Sequence, residues 1–279
     1  MILHDVTNLA GCRAVVGVQE AVWGAGSEIV PASVLLVSVK RGGILVGAAD
    51  AERLVGFVWS MPAVKNGALT HWSHMLGVLP AARGRGIGRR LKVAQRDRAL
   101  AQGLDLIEWT FDPLQAPNAH LNLAVLGCVA STYLENAYGD MAGPLHRGTA
   151  TDRLIAEWRI RTPHVTRRID GPPVGQPIPA RAEEAAGAPA AIATRTSGDW
   201  LVPTGVQPAI DTMRVAVPVP GRFTEMQERA VETAAAWRQA TREAFTSYFT
   251  RGYRAVNFVL NRETGGGRYL LEQISPPDD

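Results

Sequence analysis

The stretch "GVLPAARGRGIGRRLK", Gly77 to Lys92, constrains this chain more than any other. An apolar run enters it, glycines recur at 84, 86 and 88, and a helix-forming segment leaves it. Strand, glycine-rich turn and helix in that order make a ready anion site. A helix start presents unbonded N–H groups and a partial positive charge. Glycine lets the backbone turn tightly and come close to a phosphate. Arg83 and Arg85 add charge-assisted donors. Flexibility beside positive charge therefore reads as a phosphate cradle, and the question is whose phosphate it holds.

Spacing removes two answers. A Walker A loop needs Lys and then Ser or Thr after its last glycine, whereas Arg89 and Arg90 follow here. A dinucleotide fingerprint needs G-x-G-x-x-G on a strand near the N-terminus, with an acidic residue for the ribose after the next strand. The glycines here are spaced by two, and no such acidic residue is evident.

The flanking pattern supplies the architecture. Leu9, Cys12, Val15, Val16, Gln19, Val22 and Trp23 recur at helical spacing, with Asp5, Thr7 or Asn8 as caps. A second helix is expected from about Pro31 to Gly42-Gly43. "ILVGAAD" and "LVGFVWSMPAV" read as a hairpin, and "ALTHWSHMLGVLP" as the third strand. Ile87, Leu91, Ala94 and Leu100 share one face of the helix after the loop, which Gly103 ends; Arg89, Arg90 and Lys92 fall to its solvated face or to an outer phosphate. "LDLIEWTFDPL" is a strand, "NAHLNLAVLGCVASTYLENAYG" a helix bent near Gly127, and "LIAEWRI" a strand. Helices and strands in that order fit a three-layer α/β arrangement.

Residues 161–205 hold the densest run of Pro and Gly and read as a linker or long loop. Residues 206–279 read as an α/β extension: a strand at "MRVAVPVP", one helix from Thr224 to Thr250 with a Thr224/Gln227 capping box, and two last strands. This tail is either an appended lobe or the completion of the first sheet; a helix and hairpin make a thin core alone, which favours completion.

Composition narrows the function classes. With 46% hydrophobic residues a sizeable core can form, and a net charge of +3 is too small an excess to argue for nucleic acid. Cys12 and Cys128 lie far apart, which excludes a disulfide framework or a CxxC metal pair, and the histidines show no ligand spacing. A reduced, cytoplasmic setting, no membrane span and no metal are expected.

The segment Val78 to Gly88, "VLPAARGRGIG", resembles the coenzyme A motif of the GNAT acetyltransferases, with Arg83, Gly86 and Gly88 at its fixed positions. The resemblance covers about residues 1–160. Phrases such as "TFDPLQAPNAHLNL", "TDRLIAEW" and "WRQATREAF" resemble a branch of that superfamily with a C-terminal extension. It implies the three-layer acyl-CoA N-acyltransferase fold with a mixed, splayed central sheet, and acetyl-CoA or another acyl-CoA as donor. The pantetheine arm would lie between strands 70–79 and 105–111, bonded by backbone near Met75, Leu76 and Val78. Amides of Gly84, Arg85, Gly86, Ile87, Gly88 and Arg89 would hold the pyrophosphate, and Asn118 matches a position that often contacts the arm. The first helix and its following loop would cover the acceptor, which brings in Glu20, Trp23 and Glu28.

Acyl transfer to an amine needs a base, an acid for the thiolate and a dipole aimed at the carbonyl oxygen. The N–H near Leu76 or Gly77 can serve the carbonyl. By strand alternation His74, Leu76 and Val78 share one face, and His71, Ser73 and Met75 the other. His74 is the candidate base; no acidic residue lies between Leu69 and Arg83, where the superfamily often carries one. Tyr133 matches the superfamily's acid more closely than Tyr138, and Asp112 and His120 lie near the strand end where they can meet substrate. The acceptor is expected to be a small-molecule or peptide amine, with a homodimer possible. Two other classes compete: a non-catalytic acyl-CoA-binding or regulatory protein, and a nucleic-acid binder using the arginines of the helix. Glycines are unnecessary for the latter.

Overall fold

The computed structural model describes residues 1–24, 29–51, 53–139, 150–169, 171 and 187–273. The chain divides into two compact units, Met1–Trp109 with Trp158–Asp170, and Thr110–Glu157 with Gly171–Asp279.

The first unit opens with β1 (Ile2–Asp5), α1 (Leu9–Trp23), α2 (Ala32–Lys40), β2 (Ile44–Asp50), β3 (Arg53–Lys65) and β4 (Ala68–Val78). A single 3₁₀ turn and the glycine loop lead into α3 (Ile87–Ala101), followed by β5 (Leu106–Phe111), whose last residues enter the second unit. Asn8 caps α1, its side chain accepting from the Gly11 amide at 2.8 Å. β1 to β4 pair antiparallel in sequence order, and β4 pairs parallel with β5. With β6 (Tyr133–Leu134) and β7 (Arg153–Arg159) they make a seven-stranded mixed sheet in the order β1-β2-β3-β4-β5-β7-β6. α1 and α2 cover one face of the first strands through Cys12, Val15, Val18 and Leu35 packed on Leu45, Phe57 and Trp59. α3 turns Leu91, Lys92 and Gln95 inward against β4, where the Gln95 amide meets the Ser73 hydroxyl at 3.1 Å. Helix, sheet and helix form the three expected layers. Gln19, which helical spacing placed among apolar residues, is buried and clamps the chain after α1 through both directions of bonding to the Val30 backbone.

The second unit departs from the sequence reading in several places. The helix after β5 is a short turn, α4 (Ala116–Ala119), prolonged by one π-helical turn, His120–Val125. Gly127 at φ +76° then ends helical structure, and Val129 and Ala130 bridge to Glu157 and Ala255, so Tyr133 lies on a strand and not on a helix. α5 (Pro163–Ile169) of the first unit and β8 (Ile192–Ser197) and β9 (Trp200–Val206) of the second fall within the stretch read as a linker, and residues 170 and 172–186 of it lie outside the described residues. β10 (Arg214–Val219), β12 (Gly267–Gln273) and β11 (Tyr253–Leu260) form their own three-stranded sheet and do not extend the larger one. The long helix is two, α6 (Phe223–Arg229) and α7 (Val231–Thr250), broken at Ala230, whose φ of −147° and ψ of 57° are not helical. No capping box forms: the residue before α6 is Arg222, Gln227 is buried, and Thr224 accepts from Gln115 instead. α7 packs aromatic residues inward, with Phe245 stacked on Tyr133 and edge-on to Tyr269.

Candidate functional site: a strand fork and an unbonded amide run

β4 is where the fold departs from regularity. Its parallel ladder with β5 consists of two partner pairs, His71 with Ile107 and Trp72 with Glu108. Beyond Trp72 the strand runs on to Val78 paired with β3 alone among the described residues. The edge of Ser73 to Val78 that faces β5 therefore lacks a ladder, and backbone polar groups without one need another partner. An extended, amide-bearing molecule can supply it, as a peptide does when it adds to a sheet edge.

The same segment carries a bulge. Trp59 pairs with Met75 and Ser60 with Ser73, so His74 is the extra residue on β4. The bulge overturns the simple alternation. Ser73 faces α3, whereas Met75 packs on the α1 and α2 side, so the two do not share a face. His74 is exposed at the bulge with its ring edge-on to Trp59 at 5.3 Å, and partial desolvation lowers its pKa. His71 is buried, its Nδ1 2.8 Å from the Ser60 hydroxyl. Trp23, at the end of α1, lies across β4 at Gly77: a Cβ there would meet the Trp23 and Phe57 rings at 3.0 Å. A larger residue there would require the two rings to give way by a few tenths of an ångström.

The loop after β4 is built for an anion. Gly84 and Gly86 take φ of +76° and +72°, and a Cβ at either would meet nothing within 4 Å. The requirement for glycine is therefore conformational, and the space around the turn is open. From Gly84 to Arg89 no amide makes a backbone hydrogen bond among the described residues; the helical ladder begins with Arg90 donating to the Gly86 carbonyl. These amides surround the N-terminus of a 15-residue helix. Arg83 donates to the Val78 carbonyl at 3.1 Å and Arg85 pairs with Asp50 at 2.9 Å, both exposed. Arg89 turns away to donate to the Ile169 carbonyl, and the Ile87 side chain is core. These two offer their amides to the loop. Lys92, read as solvated, is 2% exposed.

The remaining candidates stand differently. Glu20 is exposed on α1, and Glu28 lies outside the described residues. Asp112, Asn118, His120 and Tyr133 belong to the second unit. Asn118 is exposed on α4. Asp112 is taken up by a two-pronged pair with the buried Arg238, at 2.7 and 2.9 Å. His120 is partly buried, and its pKa falls through desolvation and then through the nearby Arg262 charge. The Tyr133 hydroxyl donates to Asp152 at 2.7 Å, and Arg242 grips the same carboxylate at 2.7 and 2.9 Å. Burial and Asp152 raise the Tyr133 pKa strongly and hold its proton in place. These ion pairs went unseen in the sequence because their partners are up to 126 residues apart.

A splayed parallel pair, a bulge on one of its two strands and an unbonded amide run at a helix N-terminus mark a mixed α/β fold of the kind that binds acyl-CoA. The sequence match agrees. Residues 21–127 match the model of the acetyltransferase (GNAT) family. Among solved structures the chain is similar to yncA of Salmonella typhimurium solved with acetyl-CoA (16% identity, 63% of this chain and 99% of that one, TM-score 0.47). It is also similar to the ribosomal-protein-S18-alanine N-acetyltransferase of Escherichia coli (14%, 58% and 94%, TM-score 0.46). The aminoglycoside 6'-N-acetyltransferase of Enterococcus faecium is a third (20%, 58% and 98%, TM-score 0.44). No curated protein matches the chain in sequence. No described helix is long and apolar enough to cross a membrane, and the described residues hold no group of three or more His, Cys, Asp or Glu able to bind a metal.

Proposed function

We propose that the protein is an acyl-CoA-dependent N-acyltransferase that passes an acyl group, acetyl in the simplest case, directly to an amine of a small molecule or peptide. The observation that carries this reading is the unbonded run of amides from Gly84 to Arg89 next to the ladder-free edge of β4. The amides and Arg85 bind the pyrophosphate, and the β4 backbone at Met75, Leu76 and Val78 binds the arm. The bound thioester supplies the activated acyl group. The Leu76 or Gly77 amide aims its dipole at the carbonyl oxygen.

His74 takes the amine proton. It is exposed at the bulge and its lowered pKa keeps it neutral and able to accept near pH 7. Tyr133, which matches the superfamily's acid in sequence, has its proton engaged by Asp152, and its role as donor is what the Tyr133→Phe variant tests. Trp23 and Glu20 on α1 face the acceptor, Trp23 through the ring it lays on Gly77. Asn118 and His120 are assigned to arm and acceptor by the sequence pattern. Asp112 is already neutralised by Arg238 and has little charge to offer an amine.

Calorimetry with acetyl-CoA and with duplex DNA tests the binding half: acetyl-CoA binds and DNA does not. Thiol release over a panel of amines tests catalysis, with His74→Ala and Tyr133→Phe as variants. Binding without turnover on any amine would make the protein an acyl-CoA-binding module; DNA binding without acetyl-CoA binding would sink both readings.

A further inference from the structure

α3 carries an ammonium where its pattern calls for an apolar side chain. Ile87, Leu91, Ala94 and Ala99 are buried on the face toward the sheet, and Lys92 and Gln95 are buried with them. Burying a lysine charge is costly unless it is paired and hydrogen-bonded. Here Nζ donates to the Ser73 hydroxyl at 2.9 Å and to Gln95 Oε1 at 3.1 Å. It also sits 3.3 Å from the centroid of the Trp109 ring, with Trp158 at 5.9 Å. An uncharged side chain such as Met would pack against two tryptophans without the desolvation cost.

The position of these partners is informative. The β4–β5 ladder ends at Trp72 and Glu108. Ser73 and Trp109 are the next residue on each strand. Where backbone hydrogen bonds stop joining the strands, the Lys92 ammonium joins them instead, by a hydrogen bond on one side and a cation–π contact on the other. That link is made from the α3 face, by the helix whose N-terminus ends the loop. Gln95 closes the arrangement by donating to the same Ser73 oxygen at 3.1 Å.

We infer that Lys92 is a positioning residue that sets the opening of the β4–β5 fork and thereby the seat of the acyl-CoA arm, while taking no part in holding the nucleotide end. This rests on the proposed function. It separates two contributions to affinity: the amide loop grips phosphate, and the fork, held at its root by Lys92, grips the arm.

Calorimetry on the full chain with two probes tests it: coenzyme A, and adenosine 3′,5′-bisphosphate, which lacks the arm. The wild-type protein is expected to bind both, coenzyme A more tightly. Lys92→Met should keep its unfolding midpoint and its affinity for the bisphosphate, and lose about tenfold or more of its affinity for coenzyme A. Lys92→Arg, which retains charge, donors and ring contact, should recover most of that loss. Equal coenzyme A affinity in Lys92→Met and wild type would overturn the inference, as would a parallel loss for both probes, the mark of a general structural role. Should Lys92→Met not fold, Ser73→Ala replaces it, with a loss of about threefold or more expected for coenzyme A alone; no loss would again overturn it. A wild-type protein that binds neither probe would instead refute the proposed function.

Discussion

The two units use polar groups in opposite ways. In the first, the amides from Gly84 to Arg89 and the β4 edge beyond Trp72 are left without backbone partners among the described residues. In the second, charged groups are consumed by one another: Arg238 by Asp112, and Arg242 with Tyr133 by Asp152. The first arrangement leaves hydrogen-bonding capacity for a ligand, and the second spends it on the fold. A list of suggestive residue types would rank Asp112 and Tyr133 beside Gly86, yet of these the two side chains are already bonded and the Gly86 amide is not. Polar potential that folding leaves unused is a better guide to a site than the presence of reactive side chains.

The largest effect is expected where the second unit's groups are uncoupled. Asp112→Ala leaves the Arg238 guanidinium, 5% exposed, without its hydrogen-bonded carboxylate, and should cost about 3–5 kcal/mol in urea unfolding. Arg238→Ala should cost less, because Arg153 lies 4.0 Å from Asp112 and can take over part of the pairing. Losses under about 1 kcal/mol would mean the pair is no more than a surface bridge, and equal large losses would mean that Arg153 does not take over the pairing.

In the first unit the expected effect shifts from stability to binding. Gly86→Ala puts a Cβ on a residue at φ +72° with open space around it, so the cost is backbone strain of about 1–2 kcal/mol. Relief of that strain would rotate the amides that face the phosphate. Coenzyme A affinity should fall about tenfold or more, by calorimetry, while the protein stays folded. A variant that binds as well as wild type would remove the loop from the site and with it the contrast between the units.

Much of the first unit was legible because its signals are local. Asn8 as cap, Pro31 before α2, the hairpin strands and the loop all depend on residues within a few positions of one another. The bulge at His74 was not legible, since it is a mismatch of register between two strands and appears in neither alone. Lys92 was misread because its neighbours Arg89 and Arg90 suggested a solvated face. Its spacing to Gln95 and Ala99, three and seven residues on, was the available sign that it shares the buried stripe. The second unit resisted because its decisive contacts are long-range, and because the helix break at Ala230 involves neither Gly nor Pro.

Acid should weaken the whole protein in a direction fixed by its histidines. His71, His74 and His120 all have pKa values lowered chiefly by desolvation. A lowered value means the unfolded chain binds protons more readily, so stability is fully present above the usual histidine value of about 6.5 and declines as pH falls below it. Urea midpoints taken at about pH 7.5 and about pH 5.5 should show the fall. The activity limb should differ: if His74 is the base, kcat/KM should drop on the acid side with a midpoint below about 6.5 and lose that limb in His74→Ala.

The smallest effect gives the finest test of the contrast, because it concerns the one pair in the loop that is already spent. Arg85 bonds Asp50 at 2.9 Å, with the two side chains 52% and 43% exposed. An exposed pair of this kind contributes less than about 1 kcal/mol, so Arg85→Ala and Asp50→Asn should both leave stability nearly unchanged. Their effects on binding should have opposite signs. Removing Arg85 withdraws a phosphate donor and should weaken coenzyme A by about threefold at low salt, with the difference shrinking as salt screens the charge. Removing the Asp50 charge frees Arg85 and removes a like charge near the phosphates, so affinity should rise by a similar factor. Calorimetry at two salt concentrations reads both. If Asp50→Asn weakened binding, Asp50 would be holding Arg85 in its working position, and the pair would belong with the committed groups of the second unit.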